Sequence, residues 1–111
     1  MIKLRNLFEV PLISHSKEVF EVLVDGNTLI ERIISVGHKS PEDQWYDQEN
    51  DEWVVLLEGE ARIFFEETGE LMMKKGDYIL IKAHEKHRIN YTSTDPPCIW
   101  LAVHGNLDMK V

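Results

Sequence analysis

Apolar and polar residues alternate over short stretches of this chain, and turn residues interrupt the alternation at nearly regular intervals. A period of two with frequent breaks suits strands and not helices, so it narrows the fold more than any other feature. Residues 19–24 form a strand that ends at Asp25-Gly26-Asn27, a strong reverse-turn signal, and residues 29–36 return as a second strand ending at Gly37. Residues 41–51 read as a polar loop. Strands over 52–57 and 61–65 flank Glu58-Gly59-Glu60, and Thr68-Gly69 turns the chain into a strand over 71–74. Strands over 78–81 and 88–92 flank a corner at 84–87, and one over 98–104 closes the set after Pro96-Pro97. About eight short strands at this spacing predict an all-β fold, a double-sheet jelly roll or barrel, as a single domain over residues 1–111. Residues 1–18 add either an edge strand or a short helix.

Composition agrees with one compact core, since 111 residues with 43% hydrophobic content suffice to build it. No apolar run exceeds six residues, far too short to span a bilayer, and the first residues lack the apolar stretch of a secretory signal. A cytoplasmic location with no membrane partner is therefore expected. Cys98 is the only cysteine, so no internal disulfide forms, and it reads as a small buried hydrophobe on the last strand. The net charge of -8 argues against nucleic acid as a partner, because phosphate binding needs a Lys/Arg surface. From Pro41 to Glu60 there are eight acids and no Lys or Arg. Such a run is either a solvated face or a site that uses a cation, as a metal ion or a cationic substrate group, to offset the repulsion.

Four residues within the strand pattern have ligand-type spacing. Glu52 is followed after six residues by Gly59, and Gly76 is followed after ten residues by His87. In this the chain resembles the two motifs of the cupin family over roughly residues 30–104. The resemblance implies a double-stranded β-helix, or jelly-roll barrel, with Glu52 and His87 near one opening. The family pattern also has two histidines, one residue apart, shortly before the glutamate. A three-residue gap puts Tyr46 and Gln48 there, and a four-residue gap puts Trp45 and Asp47 there, so neither supplies a histidine. A surviving metal site would use Glu52 and His87 with Gln48 or Asp47, an oxygen-rich set suited to manganese, ferrous iron or zinc. His84 occupies the place of a family glycine.

Other residues complete the candidate site. Tyr46 and His84 are the proton-transfer candidates. Trp45, Arg88, Trp100 and His104 are the candidates for holding a substrate, with Tyr91 as a further aromatic wall, because large rings beside polar groups suit a flat or sugar-like ligand. His15 and His38 lie in polar surroundings and are expected to be exposed. If Glu52 points inward, so do Val54 and Leu56, while Trp53, Val55 and Leu57 face outward. That second apolar stripe predicts cover by another subunit, hence a homodimer. Three functions remain open: a metal-dependent dioxygenase or isomerase acting on a small metabolite, a metal-free domain binding a small molecule, or a structural dimerisation module. No nucleophile triad, phosphate-cradling loop or dinucleotide fingerprint is present.

Overall fold

The structure, a computed structural model, describes residues 1–11 and 17–110. Eight strands follow one another: β1 (Val19–Asp25), β2 (Leu29–Ser35), β3 (Asp51–Glu58), β4 (Glu60–Phe65), β5 (Gly69–Lys74), β6 (Tyr78–Ile81), β7 (His87–Thr92) and β8 (Cys98–Gly105). They form a five-stranded sheet in the order β1-β2-β8-β3-β6 and a three-stranded sheet in the order β5-β4-β7, with every pairing antiparallel. The fold is the expected all-β jelly roll. Among the described residues no helix is long and apolar enough to cross a membrane. The described part of residues 1–18 contains neither strand nor helix, so both options for that segment fail there.

Alternation along β3 decides what lies between the sheets. Glu52, Val54 and Leu56 are buried, whereas Trp53, Val55 and Leu57 are only half-buried. Across the sheet Glu52 pairs with His104 and Ile81, Val54 with Ala102 and Ile79, and Leu56 with Trp100. Side chains on one face of paired strands stand side by side, so these rows form one continuous inner surface. Ala61, Ile63 and Met73 of the smaller sheet close over it, and the resulting core cluster includes Leu56 and Ala102 at 0% exposure. Truncating Leu56 to Ala would cost about 2–5 kcal/mol by the usual cavity penalty.

The outer face of the larger sheet is also partly covered. Arg32 points outward from β2 yet is buried. Its guanidinium grips Glu21 through two hydrogen bonds, 2.7 and 3.0 Å, and donates to the carbonyls of Leu7 and Glu9. A planar fork with five donors suits this work, and it lays residues 7–9 along the sheet.

Two glycines hold the β3 end of the barrel. Gly59 is the whole β3–β4 connection at φ 91°, and a Cβ there would meet Ser93 Oγ at 2.7 Å and Cys98 Sγ at 2.8 Å. Gly76 has φ 92° but open space around it, so only its backbone conformation asks for glycine. Cys98 is fully buried as expected, and burial pushes its thiol above the ordinary range.

Candidate functional site

The loop over residues 41–50 carries no alternation of its own; it takes its orientation from β7. The Tyr46 N–H donates to the His87 carbonyl at 2.7 Å, and the His87 N–H donates back to Tyr46 at 3.1 Å. This pairing turns Tyr46 and Gln48 inward and leaves Trp45 and Asp47 outside. The Tyr46 ring then stacks on the His87 imidazole, centroids 5.5 Å apart.

Behind these two residues lies a cavity of about 70 Å³ between the sheets. Glu52 from β3, His87 from β7 and His104 from β8 reach it, with Gln48 and Tyr46 from the loop. Val54, Ile63, Ile81, Ile89 and Trp100 form its apolar walls. Pockets for drug-sized ligands span roughly 300–1,000 Å³, so this one takes only a group of a few heavy atoms, or one end of something longer.

Hydrogen bonds around the cavity fix the state of its groups. His87 Nδ1 lies 2.9 Å from the Glu85 carbonyl. A carbonyl only accepts, so Nδ1 carries the proton and Nε2 of the neutral ring keeps a free lone pair. His104 Nε2 sits 2.9 Å from the Glu31 carboxylate and donates to it. Trp100 Nε1 donates to Ser35 Oγ, which donates to Glu18. Burial is the main influence on the Glu52 carboxyl and pushes it above the ordinary range. His104, His87 and the Gln48 amide pull the other way, and Glu31 adds to the rise. Tyr46 is held above its usual value by burial, then by Glu18 and Glu52, which keeps it a neutral phenol. Gln48 Oε1 is buried and has no partner among the described residues.

Of the residues singled out from the sequence, Glu52, His87, Gln48, Tyr46, Trp100 and His104 share this cavity. The others are elsewhere. Asp47 turns to the rim and bonds His84 Nδ1 at 2.8 Å, away from Glu52. His84 is exposed there at φ 67°, the left-handed conformation that the family glycine would supply. Its N–H bonds the Gln48 carbonyl, and the bond to Asp47 raises its imidazole pKa. Trp45 and Arg88 pack against each other, guanidinium to ring 4.6 Å, with Phe64 beside them and the Glu42 carbonyl accepting from Arg88. That is an aromatic–cation stack outside the cavity and leaves neither side chain free to line it. Tyr91 lies under Arg62, also outside. His38 is half-buried, not exposed, with Nδ1 accepting the Val36 N–H, and His15 lies outside the described residues.

Three contributors were not singled out. Glu31 and Glu18 line the cavity, and Asp51, beside Glu52 on β3, ties that strand to Ala83 and Leu107. Asp51 is buried and accepts from the backbones of Ala83 and Leu107 and from Lys82, and the two backbone bonds hold its carboxyl below the usual range. Glu31 was recoverable: within Leu29-Ile-Glu-Arg-Ile, Glu31 shares the phase of Leu29 and Ile33, so one charge must face inward.

The family profile described as "Cupin domain" matches residues 31–104. This chain is a cupin. Its fold is close to that of a "putative mannose-6-phosphate isomerase" from Ralstonia eutropha JMP134, with 39% identity over 96% of this chain and 100% of that one, and a TM-score of 0.89. A cupin superfamily protein from Desulfitobacterium hafniense DCB-2 is 19% identical over 96% and 100% of the two chains, with a TM-score of 0.71. A sugar phosphate isomerase from Silicibacter pomeroyi DSS-3 is 22% identical over 84% of this chain and 62% of that one, at 0.64. The last two likenesses concern the fold alone. A comparison with curated proteins finds no significant match.

Cupins commonly hold a divalent metal, and the cavity residues can be tested against one. Glu52 and His87 are strong donors, but the His104 Nε2 is engaged by Glu31, and Asp47 is turned away. Among the described residues no three His, Cys, Asp or Glu side chains converge on a point where an ion could sit. Beside Glu52 and His87 the cavity offers only the Gln48 amide oxygen, a weak ligand, so this cupin's donor set falls short of the three strong protein ligands that hold a resident catalytic metal.

Proposed function

We propose that the cavity is a proton-transfer site of the isomerase kind, acting on a small hydroxy-carbonyl compound. One observation carries this: a buried carboxyl, Glu52, whose hold on its proton burial strengthens, shares a small cavity with His87, whose Nε2 lone pair is free. A carboxyl that can give a proton and an imidazole nitrogen that can take one, side by side in a small cavity, are what proton transfer next to a carbonyl requires. The isomerase name of the 39% identical Ralstonia protein supports the same class of reaction.

The roles follow from protonation. His87 Nε2 removes the proton from the carbon bearing the hydroxyl, and the released electron pair forms a carbon–carbon double bond to the former carbonyl carbon. Glu52 gives its proton to the carbonyl oxygen, so the product of this step is a neutral enediol. In the return step the original hydroxyl gives its proton to the Glu52 carboxylate and becomes the new carbonyl, while protonated His87 delivers its proton to the neighbouring carbon. Both residues end as they began. Tyr46 stacks against the imidazole and restrains its plane, and Gln48 steadies the carboxylate.

The test is solvent exchange in deuterium oxide on chelator-treated protein, with two- to four-carbon hydroxy-carbonyl compounds followed by proton NMR. Deuterium should enter at the carbon next to the carbonyl with wild-type protein and fail to enter with Glu52→Gln or His87→Asn. Exchange that survives both variants, or that requires an added divalent ion, would overturn the reading. If no compound exchanges but one binds with saturation, the cavity is a binding site without catalysis.

A further inference from the structure

The hydrogen-bond inventory of the cavity also restricts its ligand. Four donors around it are already used within the protein: the Trp100 N–H on Ser35, the Ser35 hydroxyl on Glu18, the His104 N–H on Glu31, and the His87 Nδ1–H on the Glu85 carbonyl. Beside the Tyr46 hydroxyl, what remains unfilled accepts. The Gln48 Oε1 is buried without a partner among the described residues. The His87 Nε2 belongs to a side chain only 4% exposed and makes no hydrogen bond among them. Glu52 is 7% exposed, and Glu31 and Glu18 stand at the same cavity, whose lining contains no Lys or Arg. Leaving buried acceptors unpaired is costly, so a ligand that stays must bring donors and, beside the Glu31 and Glu18 carboxylates, positive charge. The aromatic rings of Phe20 and Trp100 also line the cavity, and such rings attract a cation that sits over them.

We infer that the small molecule accepted here carries a protonated amine, which sits by Glu31 and Glu18 with its N–H groups on Gln48 and these two carboxylates, leaving Glu52 and His87 for proton transfer. This rests on the reading of the cavity as a small-molecule site and names the substrate class. An ammonium group fits on three counts: it has three donors and no acceptor, it offsets the carboxylates, and with one or two carbons it matches a cavity of about 70 Å³. A phosphorylated substrate fails on the same counts, since it brings acceptors and negative charge to a wall of acceptors.

The experiment is ligand-observed NMR titration of the full chain, treated with chelator, with three probes of equal size: ethanolamine, ethylene glycol and glycolate. Ethanolamine should bind at least about tenfold more tightly than ethylene glycol, and glycolate should not bind, because charge at contact distance in a partly dry site is worth at least that factor. Glu31→Gln, which can still hydrogen-bond His104, should shrink the preference for ethanolamine to about threefold or less, and Glu18→Gln should do so more weakly. Melting curves recorded in parallel confirm that both variants are folded. Equal binding of ethanolamine and ethylene glycol, tighter binding of glycolate, a preference unchanged in folded Glu31→Gln, or no binding by any probe would each overturn the inference. Failure here with deuterium exchange intact removes the amine and leaves proton transfer. Amine binding without exchange does the reverse.

Discussion

Replacing Glu52 by Gln removes the charge that the barrel interior tolerates least. The side chain is 7% exposed, and burial outweighs the two imidazoles and the Gln48 amide in setting its proton affinity. Each unit of upward shift means the ionised form costs the folded state about 1.4 kcal/mol. A carboxyl raised in the folded state gives stability that is fully present below its unfolded value of 4.5 and is lost as pH rises through the folded value. Glutamine keeps the shape and a hydrogen-bonding head without the charge, so the variant should gain on the order of 1–3 kcal/mol at pH 8 and almost nothing at pH 4. For a domain of this size that is a rise in Tm of roughly 4–12 °C. Calorimetric melts of wild type and variant from pH 4 to 8.5 at constant ionic strength measure it. A variant less stable than wild type at pH 8, or a difference that does not change with pH, would refute the argument that burial dominates at Glu52.

The two motif glycines should separate strain from space: Gly59→Ala meets both a left-handed backbone and two atoms under 3 Å, and should cost about 2–4 kcal/mol in urea unfolding, whereas Gly76→Ala meets only the backbone term, about 1–2 kcal/mol. His84→Gly relieves the φ 67° conformation but loses the bond to Asp47 that raises the imidazole pKa, a contribution present below about pH 6.5 and lost as pH rises through the raised value; the variant should therefore lose ground to wild type at pH 5.5 and draw level or ahead at pH 9 in paired thermal melts. We propose that a second copy covers the outer stripe of Trp53, Val55 and Leu57; light scattering at micromolar concentration should give twice the chain mass, and Trp53→Glu should lower it toward one chain without changing ligand binding in the cavity.

Much of the fold could be read from residues because each strand announces its phase. In β3 the acid at Glu52 shares parity with Val54 and Leu56, and the register of β8 and β6 then follows from which faces must be dry. The site was legible where it sits on strands, as at Glu52, His87, Trp100 and His104. It was ambiguous in the loop over 41–50, where no alternation exists and a gap of three or four residues fits equally well. Only the pairing of Tyr46 with His87, a contact between segments 41 residues apart in number, selects Tyr46 and Gln48 over Trp45 and Asp47. Arg88 was misplaced for a related reason: its partner Trp45 points outward once that parity is set, and the guanidinium follows the ring. Asp51 looked like one more acid in a solvated run, and nothing local shows that the backbones of Ala83 and Leu107 converge on it.

Proton transfer and amine binding both depend on the cavity being filled by an organic ligand and not by a metal ion. Elemental analysis of protein purified without an affinity tag or chelator tests that dependence most directly. The arrangement of Glu52, His87 and Gln48, with His104 engaged by Glu31 and Asp47 by His84, predicts divalent metal well below about 0.2 equivalents per chain, with no rise after incubation with zinc, manganese or ferrous iron and removal of excess. Metal near about one equivalent per chain, lost on acidification below about pH 6 and absent from a folded His87→Ala variant, would contradict it.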